Sequence, residues 1–302
     1  MTRTDGDARA VARREARIGV AYALAAFGFW GLVPVYFKLL GQVPALEILA
    51  HRVVWSVVFC AGLATISGRW PAIRSALSSR AVIAPLVAST LFVGTNWLVF
   101  IWAVLNDRVL DSSLGYFINP LISVLLGLVL LRERLSRWQG LAVLLAVAAV
   151  LTLALVRGRV PWVSLTLAGT FGCYGYIRKV ARVGALDGLF VETLLLAPVA
   201  VLYLVFWQGA AAFGPGDPMT AGLLVVGGVV TALPLLWFTA GARRLRLATV
   251  GLLQYIAPST QFLLAVFLYR EPFTTGDLVA FALIWLALAV YSADSLARAR
   301  AA

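Results

Sequence analysis

Long apolar segments follow one another along the whole chain, and short polar connections separate them. Each segment has about 20 residues, the length that an α-helix needs to cross the hydrocarbon core of a bilayer. The pattern predicts ten spans, near residues 18–40, 46–67, 82–105, 109–131, 138–156, 161–183, 187–207, 219–242, 247–269 and 275–293. No connection is long enough to fold alone, so we predict an all-α polytopic membrane protein.

The composition supports the same class of protein. Of the 302 residues, 62% are hydrophobic and 13% are charged, whereas soluble domains average about 45–50% and about 25%. These proportions exclude a soluble globular domain. We therefore expect the functional groups to lie within or between helices that contact the lipid bilayer.

Positive charge is distributed unevenly between the two sides of the predicted bundle. The net charge of +12 would by itself favour a nucleic-acid partner. If the N-terminus is cytoplasmic, however, nineteen of the 25 Lys and Arg residues lie on that side and five on the other. This is the positive-inside pattern of membrane proteins. We therefore expect cytoplasmic N- and C-termini and no nucleic-acid partner.

The two halves of the chain resemble each other. Residues 112–139 align with 250–277 at an offset of 138, and AFGFWG at 26–31 matches TFGCYG at 170–175 at an offset of 144. The first alignment pairs Pro120 with Pro258, Arg132 with Arg270, Glu133 with Glu271 and Ser136 with Thr274. Chance similarity between apolar helices is the alternative. Because the unit has five spans, an odd number, the second unit must cross the bilayer in the opposite direction.

Several stretches carry a family resemblance that covers residues 18 to 294. They are FGFWGLVPVYFKLL (27–40), VPALEILAHRVVWS (43–56), NWLVFIWAVLNDRVLDSSLGYFINPL (96–121), YGYIRKV (174–180), ETLLLAPVAVLYL (192–204), TALPLLWFTAGARRL (231–245) and GLLQYIAPSTQFLLAVFLYREPF (251–273). With them the sequence resembles the RarD-type permeases of the EamA branch of the drug/metabolite transporter superfamily. The resemblance implies ten transmembrane helices in two inverted EamA repeats and a transport role in the bacterial plasma (inner) membrane.

These expectations divide the chain into four parts. A cytoplasmic basic tail covers residues 1–17, the first repeat covers 18–156, the second covers 161–294, and a cytoplasmic tail covers 295–302. Secondary transporters built from inverted repeats bind their substrates near the middle of the bilayer, between the repeats. We therefore looked for interrupted helices and polar side chains at that depth.

Among the prolines inside predicted spans, Pro34, Pro120 and Pro258 are the candidates for helix kinks. Each lacks the N–H that would bond the carbonyl four residues earlier, so each is expected to kink its helix. The carbonyls that lose this bond belong to Trp30, Tyr116 and Gln254. In lipid such a carbonyl needs another partner or water. The kinked helices are therefore expected to line an aqueous path, unless neighbouring helices satisfy the carbonyls.

Aromatic and amide side chains surround these prolines, which predicts a pocket for a small amphipathic or aromatic organic solute. The predicted binding or pathway residues are Trp30, Asn96, Trp97, Tyr116, Asn119, Tyr174, Gln254 and Tyr255. The alternative for any one of these aromatic rings is packing, or a position in the interfacial belt.

Glu47, His51, Arg52 and Glu192 are ionisable residues inside predicted spans, where charge is costly and by default indicates function or a partner. Glu47 and His51 are four residues apart and share a helix face, with Arg52 next to them. An offset of 145 places Glu192 opposite Glu47. These residues are candidates for proton coupling or gating. Alternatively, both carboxylates are helix-start residues that the helix dipole favours. The matched Arg-Glu pairs at 132–133 and 270–271 are either gate latches or turn-and-cap pairs.

The missing motifs constrain the chemistry further. One histidine excludes an H-E-x-x-H metal site, and there is neither a P-loop nor a G-x-S-x-G elbow,. We expect no metal, no cofactor and no enzymatic activity. The leading hypothesis is a secondary transporter, with or without proton coupling, that works by alternating access on a small-molecule substrate. An intramembrane enzyme acting on a lipid-linked substrate is the alternative, a membrane scaffold or receptor is the third, and a homodimer stays open.

Overall fold

The structure, a computed structural model, describes residues 3–131, 136–207, 217–245 and 247–301. Throughout these ranges the regular structure is helical. The helices are α1 (Arg3–Leu39), α2 (Ala45–Ile66), α3 (Trp70–Ser78), α4 (Arg80–Leu105), α5 (Val109–Leu131), α6 (Arg137–Arg157), α7 (Trp162–Val180), α8 (Ala185–Phe206), α9 (Pro218–Ala242), α10 (Leu247–Leu253), α11 (Ile256–Leu263) and α12 (Thr275–Ala301), with a π-helix at Leu264–Leu268 after α11. The expected all-α polytopic class is confirmed.

Nine of the described segments are long and apolar enough to cross a membrane. They lie in α1, α2, α4, α5, α6, α8, α9, the α10–α11 segment and α12. The predicted span at 161–183 corresponds to α7. This helix is not among the nine because its second half carries Tyr174, Tyr176, Arg178 and Lys179. Since α7 packs between α4 and α5, its polar face meets other helices.

Both predicted tails are helical where the structure describes them. Residues 3–17 continue directly into the first span as part of α1, and residues 295–301 extend α12. Their composition explains this, because the Ala, Arg and Glu residues in these stretches favour helix. One helix was not predicted at all: α3 contains nine residues with Pro71 in its first turn. Its Trp70 ring packs edge-on against Phe190 of α8, with 5.5 Å between ring centres.

Only one of the three proline positions coincides with a broken helix. The chain leaves helical geometry at Gln254 and Tyr255, between α10 and α11, and Pro258 is the third residue of α11. By contrast, α1 continues through Pro34 and α5 through Pro120. The predicted interruption therefore occurs at Pro258 and not at the other two.

The helix starts offer a second register for one part of the predicted repeat. α2 begins Ala-Leu-Glu at residue 45 and α8 begins Ala-Leu-Asp at residue 185, an offset of 140. This register would place Glu47 on Asp187 and Arg52 on Glu192, five residues away from the expected match of Glu47 with Glu192 at offset 145, which stays a prediction. The offset changes along the chain because the connections of the two halves differ in length. The inverted-repeat boundaries themselves stay a prediction.

Small residues bring several helix pairs close together. A Cβ on Gly115 of α5 would lie 2.7 Å from the Ser164 carbonyl oxygen of α7, and one on Gly241 of α9 would lie 2.9 Å from the Gly19 carbonyl oxygen of α1. Such contacts let helix backbones approach and pack without a hydrophobic driving force, as expected in lipid.

The two ends of the bundle carry separate ion pairs. We call the end formed by residues 40–44, 106–108, 158–161 and 269–274 the Asp111 end, and the end formed by 67–79, 181–184 and 243–245 the Asp187 end. At the Asp111 end, Arg157 bridges Asp111 and the α12 residue Asp277, at 2.5 and 2.6 Å. At the Asp187 end, Arg69 pairs with the buried Asp187. The Arg69 pKa is raised by the hydrogen bond and by the charge of this carboxylate.

Glu271, which lies in the connection before α12, caps the start of α5. Its two carboxylate oxygens accept hydrogen bonds from the Val109 and Leu110 amides at 2.7 and 2.8 Å. These are the first N–H groups of α5, which have no partner within the helix. Glu271 is thus a buried cap rather than a solvated one. Its predicted repeat partner, Glu133, lies outside the described residues, as does Arg132.

Candidate functional site

Arg52 lies deep in the bundle and is held from three sides. It is the eighth residue of α2, about 11 Å along the helix axis from its start. Its Nε donates a hydrogen bond to Thr231 Oγ1 of α9 at 2.7 Å. The guanidinium carbon lies 4.4 Å from the centre of the Trp97 ring of α4 and 5.7 Å from that of Phe37 of α1. Four helices therefore meet around this cation.

An amide and a phenol lie beside the Arg52 group. Asn96 donates through Nδ2 to the Leu167 carbonyl and to Thr170 Oγ1 at 3.1 and 3.0 Å. Its Oδ1 accepts a 3.2 Å hydrogen bond from the Tyr116 hydroxyl. Because Asn96 is buried and its amide bonds at both ends, it fixes the position of Tyr116 rather than offering a free group. Tyr116 itself is partly exposed.

Glu192 forms a second polar group on α8, and no part of it is exposed. Its carboxylate accepts a 2.6 Å hydrogen bond from the Ser89 hydroxyl of α4 and a 3.4 Å one from the Tyr174 hydroxyl of α7. Arg178, also on α7, lies 3.7 Å away through its Nε. A single carboxylate thus joins α4, α7 and α8.

Aromatic rings connect the two polar groups. Phe171 of α7 lies 5.8 Å from the Tyr116 ring and 6.0 Å from the Tyr174 ring, measured between ring centres. On the other side, Phe100 lies 5.7 Å from Tyr116. A continuous aromatic wall therefore runs through α4, α5 and α7, from the neighbourhood of Arg52 to that of Glu192. Such a wall suits a solute with an apolar or aromatic body.

Comparison with known proteins identifies the family. The model of the EamA-like transporter family matches residues 17–155. A Vibrio cholerae protein named "Uncharacterized transporter" is 46% identical over 296 residues, which cover 96% of this chain and 97% of that protein. "Protein RarD" of Escherichia coli K12 is 45% identical over 285 residues, covering 94% and 96%. The chain belongs to the RarD-type permeases of the EamA family.

Two further similarities extend this result. The "Chloramphenicol-sensitive protein RarD" of Pseudomonas aeruginosa is 36% identical over 285 residues, covering 92% of this permease and 94% of its own chain. A solved structure described only as a crystal structure of a protein superposes with a TM-score of 0.58. It is 20% identical and covers 90% of this chain and 96% of its own, so it shows a shared fold. The RarD-type permease is accordingly a multi-pass membrane transporter.

Several predicted residues of this permease lie apart from the polar groups described above. Trp30 packs with Phe27 and Phe238, and its carbonyl accepts a 3.2 Å hydrogen bond from Gln261 Nε2. A neighbouring helix therefore satisfies the carbonyl that Pro34 frees. Gln254 and Tyr255 form the turn between α10 and α11, and the Tyr255 ring stacks on Phe117.

The remaining predicted residues are on α2 and α5. Glu47 is fully buried and lies within electrostatic range of Tyr203 of α8, while His51 is buried one turn further along α2. Asn119 is half-buried on α5 beside Gly172 of α7, where a Cβ would lie 3.5 Å from its Oδ1. The structure thus groups Arg52 with Trp97, Asn96 with Tyr116, and Tyr174 with Glu192.

Some contributors were missed by the sequence reasoning. They are Phe37, Ser89, Phe171, Arg178 and Thr231. Arg178 could have been found, because it is four residues after Tyr174 on α7 and therefore shares its face. Hydroxyl and phenyl side chains such as Ser89 and Phe171 carry no signal that separates them from ordinary helix packing.

An apolar cavity of about 550 Å³ lies nearer the Asp111 end, between α2, α4, α7 and α8. Its walls include Trp102, Trp162, Tyr203 and Trp207, and no charged residue lines it among those described. The part of the permease that the structure describes contains no cluster of three His, Cys, Asp or Glu side chains that could hold a metal ion.

Proposed function

We propose that this RarD-type permease is a secondary transporter that moves a small organic solute across the bacterial inner membrane by alternating access. The supporting observation is that polar side chains from both predicted repeats, Arg52 and Asn96 from one and Thr231 and Glu192 from the other, converge inside the bundle around one aromatic wall. Transporters with inverted repeats bind substrate at such a position, between the repeats.

The ion pairs at the two ends are suited to a gating role. Arg157 joins α5, α6 and α12 at the Asp111 end, and Arg69 joins α8 to the segment before α3 at the Asp187 end. Alternating access requires each end to open while the other is closed. With the orientation that the basic residues favour, the Asp111 end faces outward and the Asp187 end faces the cytoplasm.

Glu192 is the residue that we propose for proton coupling. Coupling needs a carboxyl group that gains and loses a proton as access changes, and buried carboxylates within spans are typical of such relays. The groups that face Glu192 are Arg178 and Tyr174 on α7 and Ser89 on α4. Because the Arg178 contact is 3.7 Å, a proton on Glu192 competes with one long ion pair and two hydroxyl contacts.

The experiment is uptake into proteoliposomes with an imposed proton gradient and a panel of neutral, anionic and cationic organic solutes. One relative is named a chloramphenicol-sensitive protein, so the panel includes chloramphenicol. We expect gradient-driven accumulation by the wild type. Glu192→Gln should lose the response to the gradient and keep solute exchange. The matched control is Glu271→Gln, a buried acid in the connection before α12 that belongs to neither gate pair and should keep coupling.

Each outcome decides between functions. Equal gradient dependence in Glu192→Gln and the wild type would contradict coupling at Glu192 but leave transport standing. Chemical change of a lipid-linked compound without solute movement would support the intramembrane enzyme instead. If the protein shows neither activity, the result favours a scaffold or receptor. The homodimer stays a separate prediction, which light scattering of the purified protein measures.

A further inference from the structure

Arg52 is an arginine inside the bundle without a carboxylate partner among the described residues, unlike the arginines that the structure places in ion pairs. Arg69, Arg108, Arg157 and Arg178 each lie within 4.0 Å of a carboxylate. Among the described residues, no Asp or Glu oxygen lies within that distance of Arg52. A guanidinium held inside a membrane bundle normally pairs with an acid or marks a pathway for charge. The compensating anion for Arg52 is therefore not supplied by the described chain.

The contacts of Arg52 orient its guanidinium. Thr231 takes the hydrogen bond from Nε, and the Trp97 ring covers the guanidinium at 4.4 Å. Both contacts fix the plane of the group, and neither uses the two terminal nitrogens. A guanidinium held in this way presents the parallel N–H pair that binds a carboxylate through two hydrogen bonds.

The side chains that could contact a ligand beside Arg52 are partly exposed. Arg52, Trp97, Tyr36 and Tyr116 are each partly exposed, whereas Phe37, Asn96, Phe100 and Thr231, which surround them on α1, α4 and α9, are buried. The Tyr36 and Tyr116 hydroxyls lie within electrostatic range of the guanidinium. A ligand there would touch one cation, two phenols and an indole face, with the aromatic wall at Phe171 continuing beyond Tyr116.

We propose that Arg52 is the anion-binding group of this permease and that the solute is a monoanionic carboxylate with an aromatic or apolar body. The proposal rests on the proposed transport function and names its substrate class. One cation matches one negative charge. A phosphate group carries nearly two and usually recruits further cations, and the described residues place none beside Arg52.

The test measures binding separately from transport. The purified protein in lipid nanodiscs is titrated by calorimetry with 2-naphthoate and with its neutral analogue 2-naphthamide. We expect the carboxylate to bind at least about tenfold more tightly, because a charge-assisted bidentate contact is lost with the amide. Arg52→Gln should abolish the preference and Arg52→Lys should reduce it. Arg244→Gln, which removes a surface arginine paired with Glu15 and part of neither gate pair, should keep it.

The remaining variants keep the result decisive. If Arg52→Gln does not fold, Thr231→Val retains the charge and removes only the Nε acceptor, so the preference should fall about threefold. Equal binding of the two naphthalene compounds to the wild type, or an unchanged preference in the Arg52 variants or in Thr231→Val, would overturn the proposal. Selective binding of the carboxylate without uptake into proteoliposomes would instead overturn the transport function and leave the site standing.

Discussion

Glu271 gives the sharpest prediction for stability, because its whole effect is visible in two hydrogen bonds. The Glu271 carboxylate accepts hydrogen bonds from the amides of Val109 and Leu110, and both of these residues are buried. Leaving a buried donor unpaired costs about 1–3 kcal/mol. Glu271→Ala removes both acceptor oxygens, so we expect a loss of about 2–4 kcal/mol, toward the lower half of the summed range because water reaches a loop position. Glu271→Gln replaces one acceptor with an amide nitrogen and should lose about half as much.

The assay combines denaturant unfolding in detergent, followed by tryptophan fluorescence, with hydrogen exchange at the start of α5. Exchange should accelerate at Val109 and Leu110 in both variants. The control is Asp107→Asn at the same end. Asp107 pairs with Lys38, and the Asp107 side chain is 75% exposed. An exposed pair should contribute less than about 1 kcal/mol. Wild-type stability in Glu271→Ala, with both amides still protected, would refute the capping role.

The same residue predicts a pH dependence. Burial raises the pKa of Glu271 above the ordinary glutamate value, and the two amides oppose the shift. The folded protein therefore binds this proton at higher pH than the unfolded chain does. The resulting stabilisation is largest below the ordinary pKa and is lost as the pH rises through the raised pKa. Glu271→Gln, which does not titrate, should remove this component from the pH profile of unfolding.

Two further predictions concern packing and charge. Gly115→Ala should destabilise the protein by about 1–3 kcal/mol, because the new Cβ meets the Ser164 carbonyl,. Gly140→Ala on α6, where a Cβ meets nothing within 4 Å, should show no loss of stability when thermal unfolding of the two variants is compared. Arg157→Gln should cost about 3 kcal/mol because it leaves the buried Asp277 carboxylate unpaired,, whereas Lys38→Gln should cost under about 1 kcal/mol. Similar unfolding temperatures within either pair of variants would contradict the corresponding argument.

The sequence predicted the helices well because their spans must be both long and apolar, and few other segments satisfy both conditions. The exceptions have physical reasons. α3 is only nine residues long and lies outside the spans, so it shows no length signal. α7 is helical but too polar to satisfy the same criterion. At Pro34 the freed Trp30 carbonyl is satisfied by Gln261 of α11, a neighbour that no local pattern contains.

The candidate site was predicted as residue types and not as contacts. Arg52, Trp97, Asn96, Tyr116, Tyr174 and Glu192 were all selected, because polar groups inside apolar spans are conspicuous. Their grouping could not be derived, since Arg52 meets Thr231 across 179 residues of chain. The repeat register at Glu192 is equally hard to derive, because a comparison of two apolar helices tolerates a shift of five residues when one acid replaces another.

In the predicted inverted repeat, the register of the helix starts makes Arg52 on α2 equivalent to Glu192 on α8, and this equivalence has an electrical consequence. When two inverted halves exchange conformations about an axis in the membrane plane, equivalent residues move in the same direction along the membrane normal. Opposite charges at those two positions then cancel, so Arg52 and Glu192 together move no net charge through the voltage, which otherwise does work of about 2.3 kcal/mol per charge per 100 mV. A bound carboxylate and a proton on Glu192 cancel as well. The full cycle proposed here is electroneutral and takes its driving force from concentration gradients, independent of membrane potential.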